Sequence, residues 1–297
     1  MTDGIRLLKS PRSSARGRFG SAFIDTPVLD ATLLLAETLR TSRENLVLNE
    51  NEPISPEDRE TYTNLLERRR SGECIAYILG RKEFRDLEFS VNPNVLVPRP
   101  ETEILLEATL EEADSLPEEL GISILDLCTG SGALAISLKN ERSNITLTAS
   151  DISGEALETA SHNAGRLLSR NLTGDDVVKP DSVNFIQSDL FESIHDRFNI
   201  IMSNPPYVSS GELSTLTPEI QREPRLALDG GTDGLELIRR IISGAYDHLL
   251  PGGILLLEAD PGQMAAISGL LETHSFHGIK LHKDLSGRER VISAKHL

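Results

Sequence analysis

The segment from Gly121 to the C-terminus alternates strand-like and helix-like patterns, and this alternation limits the possible fold more than any other feature. Seven short apolar runs predict strands at 122–127, 145–150, 183–187, 198–203, 254–258, 279–283 and 290–293. Four amphipathic stretches predict helices at 133–139, 155–168, 235–249 and 263–273. Such alternation is typical of a mostly parallel sheet with helices on both faces. Because only residues 284–289 separate the last two strands, these strands should pair antiparallel at the sheet edge or next to it.

The first 100 residues have a different organisation. Thr26-Pro27 and Ser55-Pro56 each combine an N-cap with a first helical position. They predict a small helical domain over 1–82, which includes a flexible arm at Ser10–Ser21. The arginine run 68–70 reads as cations at a helix C-terminus rather than as a binding patch. Alternating apolar residues over 83–100, with a turn at Pro93–Asn94, predict a β-hairpin linker. A catalytic domain then occupies 101–297.

The strand at 198–203 ends in Asn204-Pro205-Pro206-Tyr207. Proline has no N–H and fixes φ, so strand pairing stops there. The residue before a proline is held extended, which stiffens Asn204 and Pro205. The Asn204 side-chain oxygen and the Pro205 carbonyl therefore form a rigid pair of acceptors beside a flat ring, a site that suits a planar –NH2 group.

A glycine turn joins the strand at 122–127 to the helix that follows it. Gly130 and Gly132 allow the backbone to approach a ligand closely, and Asp151 ends the next strand, where it can accept hydrogen bonds from two ribose hydroxyls. The same residues fit the dinucleotide fingerprint G-x-G-x-x-G/A. An NAD-dependent oxidoreductase is therefore an alternative at this point. Asp126 argues against it, because an acidic side chain would face a cationic ligand better than a pyrophosphate.

Charge and composition exclude several classes of protein. Residues 1–100 hold 15 basic and 15 acidic residues, so the net charge of −16 lies entirely in 101–297. This charge disfavours sequence-independent DNA binding and suits a basic protein partner. No apolar run approaches the roughly 20 residues of a membrane span. The two cysteines, Cys74 and Cys128, and the seven histidines show no ligand spacing, which indicates a reducing cytoplasm and no metal site.

The glycine loop, the acidic strand ends and the Asn-Pro-Pro-Tyr motif together resemble the class I S-adenosylmethionine-dependent methyltransferases that modify planar nitrogens. The resemblance implies a Rossmann-like α/β fold with a seven-stranded, mostly parallel sheet and an antiparallel last strand. Five further segments, from Thr26 onward, are similar to the peptide chain release factor N5-glutamine methyltransferases: 30–36, 76–80, 97–103, 223–229 and 283–287. The chain is therefore identified as a member of that family.

The resemblance implies the substrate and the site. The substrate is the glutamine amide of a Gly-Gly-Gln loop in a peptide chain release factor, held by Asn204, Pro205, Pro206 and Tyr207. Asn204, Pro205 and Tyr207 carry catalysis. The cofactor S-adenosylmethionine, released as S-adenosylhomocysteine, contacts Cys128, Thr129, Gly130, Ser131, Gly132, Asp151, Leu190 and Asn204. Cys128 and Leu190 depart from the family, which often has a glycine and an aromatic residue at these positions.

Several questions stay open at the level of sequence. Arg99, Glu101 and Glu103 either line the entry of the glutamine or cap a helix. The sibling family that modifies a glutamine of a ribosomal protein shares the Asn-Pro-Pro-Tyr motif, as do DNA adenine-N6 methyltransferases, although the latter should carry basic target-recognition segments. A protein that binds S-adenosylmethionine without catalysis is a further alternative. We expect a cytoplasmic monomer that binds neither nucleic acid nor membrane.

Overall fold

The structure is a computed structural model that describes residues 2–9, 24–117, 121–169 and 183–297. Two compact units divide the chain: Met1–Gly80 with Leu216–Arg222, and Arg81–Thr215 with Glu223–Leu297. The predicted arm at Ser10–Ser21 lies outside the described residues. Within the described ranges, no helix is both long and apolar enough to cross a bilayer.

The first unit is helical. Its helices are α1 (Thr2–Lys9), α2 (Pro27–Leu39), α3 (Arg43–Leu48), α4 (Pro56–Arg70) and α5 (Ile75–Leu79). Leu34, Tyr62 and Leu66 are buried in its core. Ser55 caps α4 as predicted, since its hydroxyl accepts a hydrogen bond from the Asp58 N–H at 3.0 Å. Thr26 occupies the N-cap of α2, but its hydroxyl donates to the Asp30 carboxylate instead of accepting from the backbone.

The second unit begins with a hairpin of β1 (Arg81–Phe84) and β2 (Leu87–Ser90). The predicted turn at Pro93–Asn94 is present, since the Val95 N–H donates to the Asn92 carbonyl at 3.1 Å, but it does not connect the strands of the hairpin. The hairpin turn is at Arg85–Asp86, where φ is 45° and 58°, and two left-handed residues match the twist of a two-residue hairpin. Neither residue is a glycine or an asparagine, so the sequence carried no strong turn signal. Residues 91–100 lie in no strand.

The rest of the second unit alternates helices and strands as predicted. The elements are α6 (Thr102–Asp114), β3 (Ser123–Leu127), α7 (Ala133–Glu141), β4 (Thr146–Asp151), α8 (Gly154–Leu168), β5 (Val183–Gln187), β6 (Phe198–Ser203), α9 (Glu236–His248), β7 (Leu249–Glu258), α10 (Met264–Thr273), β8 (His277–Lys283) and β9 (Glu289–Lys295). Three short 3₁₀ turns between 213 and 227 were not predicted, because three residues are too few to show a period.

The seven-stranded sheet has the order β5-β4-β3-β6-β7-β9-β8. The first five strands are parallel, and β9 runs antiparallel to both β7 and β8. This confirms the predicted architecture, with the antiparallel strand next to the edge. Its first five strands follow the 3-2-1-4-5 order of dinucleotide-binding domains, and it differs from them in the antiparallel β9, which lies between β7 and β8.

Alternate residues of each strand enter opposite hydrophobic cores. On β3, Ile124 faces the core that α6, α7 and α8 cover, whereas Leu125 faces the core that α9 and α10 cover. Both side chains are fully buried. Burial on both faces explains why the central strands are continuous apolar runs. The parallel strands then place their carboxyl ends at a single edge of the sheet.

Candidate active site

A cavity of about 210 Å³ opens at the carboxyl edge of the sheet. It lies beside the ends of β3, β4 and β6, and β3 is the strand from which the sheet order runs outward in both directions. Open α/β sheets bind ligands in the crevice at this kind of switch point. Eleven of the residues that line the cavity lie at the carboxyl end of β4 or in the loops that follow β3, β4, β5 and β6: Cys128, Gly130, Ser150, Asp151, Ile152, Ser153, Ser188, Asp189, Leu190, Asn204 and Pro206.

The glycine loop after β3 has three left-handed residues. The φ angles are 61° at Cys128, 57° at Gly130 and 80° at Gly132. A Cβ at Gly130 would meet no atom within 4 Å, so the backbone there faces open space. A Cβ at Gly132 would lie 2.8 Å from Ile136 Cδ1 and 3.2 Å from Ala160 Cβ. Gly130 therefore opens the cavity, whereas Gly132 allows α7 and α8 to approach each other.

Cys128 adopts a left-handed φ, a conformation that a glycine adopts without strain and that the Cβ of cysteine disfavours. Burial raises the pKa of the Cys128 thiol well above its usual range, and the nearby Asp151 carboxylate raises it further. The thiol is therefore protonated at neutral pH and is a poor nucleophile.

Asp151 connects the glycine loop to the start of α8. Its Oδ2 accepts a hydrogen bond from the Gly130 N–H at 2.9 Å, and its Oδ1 accepts one from the Ser153 N–H at 3.0 Å. Burial raises its pKa, and the backbone hydrogen bonds from Ser153, Gly130 and Ile152 oppose that effect. The carboxylate lines the cavity, and each oxygen keeps a lone pair that can accept a hydroxyl.

Asp126 lies beneath the loop and does not line the cavity. It is fully buried, and its Oδ2 accepts a hydrogen bond from the Thr129 hydroxyl at 2.6 Å. Burial raises its pKa to about 7. Its Oδ1 has no hydrogen-bond partner among the described residues. An unpaired carboxylate oxygen below the loop attracts positive charge and disfavours a pyrophosphate there.

The loop after β5 forms the opposite wall of the cavity. Leu190 is buried and has a left-handed φ of 51°. Its neighbour Asp189 pairs with Arg240 of α9 at 2.9 Å, and both residues line the cavity. This salt bridge holds Asp189 next to the apolar side chain of Leu190 in the lining of the cavity.

Asn204 is held from behind by a residue that the sequence did not single out, since its Nδ2 donates to the Thr102 hydroxyl at 3.0 Å. Glu258 ends β7, one position beyond the Ser203–Leu257 pair that joins β6 to β7. Burial raises the pKa of Glu258 to about 7, and the nearby Thr102 and Asn204 side chains act in the opposite direction. Thr102 and Glu258 are 5% and 2% exposed. The signal in the sequence that could have identified Glu258 is an acidic residue at the end of an apolar strand.

The other members of the Asn-Pro-Pro-Tyr motif differ in placement. Pro206 lines the cavity, and Pro205 is buried without lining it. Tyr207 does not line it either; its ring packs against the core under α9 and α10, and its carbonyl accepts from Gln263 Nε2 at 2.9 Å. Burial raises the pKa of Tyr207 to about 12. The role of Tyr207 as a wall for a substrate amide therefore stays a prediction.

Of the predicted site residues, the structure brings Cys128, Gly130, Asp151, Leu190, Asn204 and Pro206 to one cavity. The predicted contacts Thr129, Ser131 and Gly132 do not line it. The Thr129 hydroxyl binds Asp126, and the buried Ser131 accepts a hydrogen bond at its carbonyl from Asn163. These three residues contact the protein interior and stabilise the conformation of the loop.

Two segments that the sequence did not assign to the cavity also line it. One is the loop 94–96, and the other contains Pro224, Leu226 and Ala227. Arg99 joins these segments through a salt bridge of 2.5 Å to Glu223, whose side chain is 1% exposed. Glu101 occupies the N-cap of α6 without a capping side-chain bond. Glu103 lies in the first turn of α6, where its charge favours the helix N-terminus.

Comparison with known proteins adds the family. Residues 12–80 match the family model described as PrmC N-terminal domain, and residues 102–231 match the one described as methyltransferase small domain. The release factor glutamine methyltransferase of Burkholderia pseudomallei is 38% identical over 90% of this chain and 91% of its own. The chain belongs to the release factor glutamine methyltransferase family. The member from Neisseria gonorrhoeae is 39% identical over 91% of this chain and 94% of its own. The member from Deinococcus radiodurans is 35% identical over 97% of this chain and 98% of its own.

Solved structures of more distant proteins share the fold. A methyltransferase from Pyrococcus furiosus has a TM-score of 0.50 at 19% identity and covers 78% of this chain and 98% of its own. The hMettl16 catalytic domain has a TM-score of 0.53 at 14% identity and covers 79% of this chain and 82% of its own.

The cavity fits S-adenosylmethionine, the methyl donor of methyltransferases. Gly130 leaves open space at the loop, Asp151 offers acceptors for ribose hydroxyls, and Leu190 offers an apolar wall. The unpaired Asp126 Oδ1 below the loop suits a cationic ligand. Among the described residues, no group of histidine, cysteine, aspartate and glutamate is arranged to hold a metal ion.

We predict that S-adenosylmethionine raises the melting temperature of the protein and that NAD does not. A ligand at about 100 times its Kd stabilises the folded state by about 2.7 kcal/mol, which shifts the melting temperature by several degrees. Differential scanning fluorimetry measures both ligands. The Asp151→Ala variant should lose most of the shift, and Asp114→Ala, which removes an exposed carboxylate paired with Arg142, should keep it. An equal shift with NAD would contradict the assignment.

Proposed function

We propose that this protein transfers a methyl group from S-adenosylmethionine to the side-chain amide nitrogen of the glutamine in the Gly-Gly-Gln motif of peptide chain release factors. One observation carries the proposal at the site. Asn204, which starts the motif for planar nitrogens, lines the same cavity as Gly130 and Asp151 of the nucleotide end. The relatives are release factor glutamine methyltransferases, and this name indicates the substrate.

The chain's own residues act by positioning. An amide nitrogen is a poor nucleophile because its lone pair is delocalised into the carbonyl. We propose that the Asn204 Oδ1 and the Pro205 carbonyl accept hydrogen bonds from the two N–H groups of the substrate amide. Two acceptors fix the nitrogen in the direction of attack, and their dipoles stabilise the positive charge that develops on it.

When bound, S-adenosylmethionine supplies a methyl group on a positively charged sulfur. Held by Gly130, Asp151 and Leu190, it would give this methyl group to the amide nitrogen and leave as S-adenosylhomocysteine, and the nitrogen would release one proton to water. Neither a metal nor a covalent enzyme intermediate is needed for this balance. The protonated Cys128 thiol is consistent with direct transfer.

Three further expectations are part of the proposal. Residues 1–82 recognise the release factor, 83–100 link the domains and 101–297 catalyse. The match of 12–80 to a separate family model supports this division. The protein works in the cytoplasm as a monomer that binds no nucleic acid. Cys74 and Cys128 form no disulfide, which supports this location, and the acidic charge of 101–297 supports the lack of nucleic-acid binding.

Incubation with S-adenosylmethionine and a purified release factor, followed by peptide mass mapping, tests the activity. We expect one added methyl group on the Gly-Gly-Gln peptide, and none when that glutamine is replaced by glutamate in the release factor. Parallel reactions with ribosomal proteins and with DNA test the two alternative substrates. A methyl group found only in one of those reactions would refute the proposal.

A further inference from the structure

Gln263 does not line the cavity, and nothing in the proposed chemistry uses it. It is half-buried at the start of α10. Its Nε2 donates to the Tyr207 carbonyl at 2.9 Å and to the Gly234 carbonyl at 3.2 Å. One side chain therefore joins the last residue of the Asn-Pro-Pro-Tyr motif to the loop that precedes α9.

The orientation of the Gln263 amide follows from its partners. Its Oε1 accepts a hydrogen bond from the Asp260 N–H at 3.2 Å, in a turn where the Gln263 N–H donates to the Asp260 carbonyl at 2.9 Å. The oxygen end thus faces a donor, and the nitrogen end faces two carbonyls, which can only accept. Exchanging the two ends would place an oxygen against both carbonyls, so this amide has one favourable orientation.

The loop before α9 lies directly against the backbone of the motif. A Cβ at Gly230 would lie 2.8 Å from the Pro206 carbonyl oxygen and 2.8 Å from Tyr207 Cα. A Cβ at Gly234, where φ is 75°, would collide with the Tyr207 carbonyl oxygen and would lie 2.5 Å from Gln263 Nε2. Glycine permits the approach at both positions. The approach places two carbonyl oxygens, those of Tyr207 and Gly234, beside a single donor group.

We propose that Gln263 is a positioning residue that fixes the backbone of Pro205 and Pro206 by holding the C-terminal end of the motif. The inference rests on the proposed function, because the Pro205 carbonyl is one acceptor of that reaction. The two prolines have no N–H with which to hold themselves in place. Ser203, paired with Leu257 of β7, holds one end of the segment. Gln263 holds the other end through the Tyr207 carbonyl.

The same side chain also connects two parts of the cavity lining. Gly234 lies directly before the N-cap of α9, and α9 supplies Leu237 and Arg240 to the lining. Pro206, which precedes Tyr207, belongs to the lining as well. By binding the Tyr207 and Gly234 carbonyls together, Gln263 fixes the motif relative to the start of α9.

The test compares methyl transfer by the wild type, Gln263→Met and Gln263→Glu at saturating S-adenosylmethionine. Methionine has a similar length and no N–H group. Glutamate keeps the shape of glutamine and the acceptor for the Asp260 N–H, and it loses only the donors. We expect kcat to fall about 10- to 100-fold in both variants, because misplacing a reacting group by about 1 Å has an effect of this size. The Kd of S-adenosylmethionine should change less than about threefold. Wild-type kcat in either variant would overturn the proposal.

Thr273→Val is the matched control. The Thr273 hydroxyl donates to the Gly269 carbonyl at 2.8 Å near the other end of α10, and valine keeps the shape of threonine without the donor. This variant should keep kcat within about twofold of the wild type. A similar loss of kcat in Thr273→Val would assign the effect to α10 as a whole and would overturn the proposal. If Gln263→Met does not fold, Gln263→Glu decides, because it retains the bond to Asp260.

A readout without substrate separates this inference from the proposed function. The Val208 N–H donates to the Leu228 carbonyl at 3.0 Å, and the Gly230 N–H donates to the Val208 carbonyl at 2.8 Å. Hydrogen exchange of the Val208 and Gly230 amides should accelerate about tenfold in Gln263→Glu, while the amides of β3 keep their wild-type rates. Unchanged exchange at both amides, or an equal acceleration in β3, would refute the role of Gln263 alone. Absence of methyl transfer by the wild type would refute the proposed function alone.

Discussion

Replacing Asn204 with alanine should reduce kcat for methyl transfer by about 10²- to 10³-fold, the usual cost of one preorganised polar group that acts on developing charge. The variant loses the Oδ1 acceptor of a residue that lines the cavity, and in the proposed mechanism Pro205 cannot hold the substrate amide alone. The Kd of S-adenosylmethionine should rise less than about tenfold, since Gly130 and Asp151 remain. Single-turnover kinetics and isothermal titration calorimetry measure the two quantities separately.

Asn199 provides the control on the same strand. It lies at the opposite end of β6, where its Oδ1 accepts a hydrogen bond from the Ser123 N–H at 2.9 Å. Asn199→Ala should cost about 1 kcal/mol of stability and leave kcat within about twofold. Unchanged turnover in Asn204→Ala would show that Asn204 is not the acceptor. A similar loss of kcat in Asn199→Ala would show that the effect comes from damage to β6 and not from the loss of the Asn204 side chain.

Replacing Arg69 with alanine should destabilise the helical unit by about 3–5 kcal/mol, the typical cost of breaking a buried ion pair from one side. The Arg69 side chain is 4% exposed. Its Nε donates to Asp30 Oδ2 at 2.6 Å, and its Nη2 donates to Glu219 Oε1 at 2.5 Å. Without the guanidinium, Asp30 remains buried as an uncompensated charge.

Hydrogen exchange with mass spectrometry measures this loss locally. Amides of α2 and α4 should exchange roughly 10²- to 10³-fold faster in Arg69→Ala, since each 1.4 kcal/mol is a factor of ten. Arg68→Ala is the neighbouring control, because Arg68 is 45% exposed and pairs with Glu73. It should cost at most about 1 kcal/mol. Equal effects of the two substitutions would contradict the importance of burial.

The arginine run shows how far local patterns extend. The sequence predicted three cations that close a helix, and α4 ends at Arg70. The three arginines nevertheless have different roles. Arg68 and Arg70 pair with nearby Glu73 and Glu67, whereas Arg69 is buried against Asp30 and Glu219, which are distant in sequence. Side-chain burial depends on partners that local spacing does not reveal.

Backbone conformation is a second property that the sequence predicts only in part. Arg85, Asp86, Cys128 and Leu190 all have positive φ without being glycine. Arg85 and Asp86 form the hairpin turn that the sequence placed at Pro93–Asn94, because a two-residue hairpin turn is usually marked by Asn-Gly or Asp-Gly. The other two, Cys128 and Leu190, line the cavity. A non-glycine residue adopts this conformation only when its surroundings hold it there, and the sequence does not show those surroundings.

The sequence by itself determined the order of strands and helices, the antiparallel end of the sheet and the motif that starts at Asn204. These depend on local periods and on the restricted geometry of proline and glycine, which act within a few residues. Only the tertiary structure decided which residues share the cavity and what holds Asn204. Thr102 and Asn204 come from distant segments, and packing of α6 against the sheet brings their side chains within hydrogen-bond distance. Hydrogen bonding among buried side chains is a property of that packing and not of spacing along the chain.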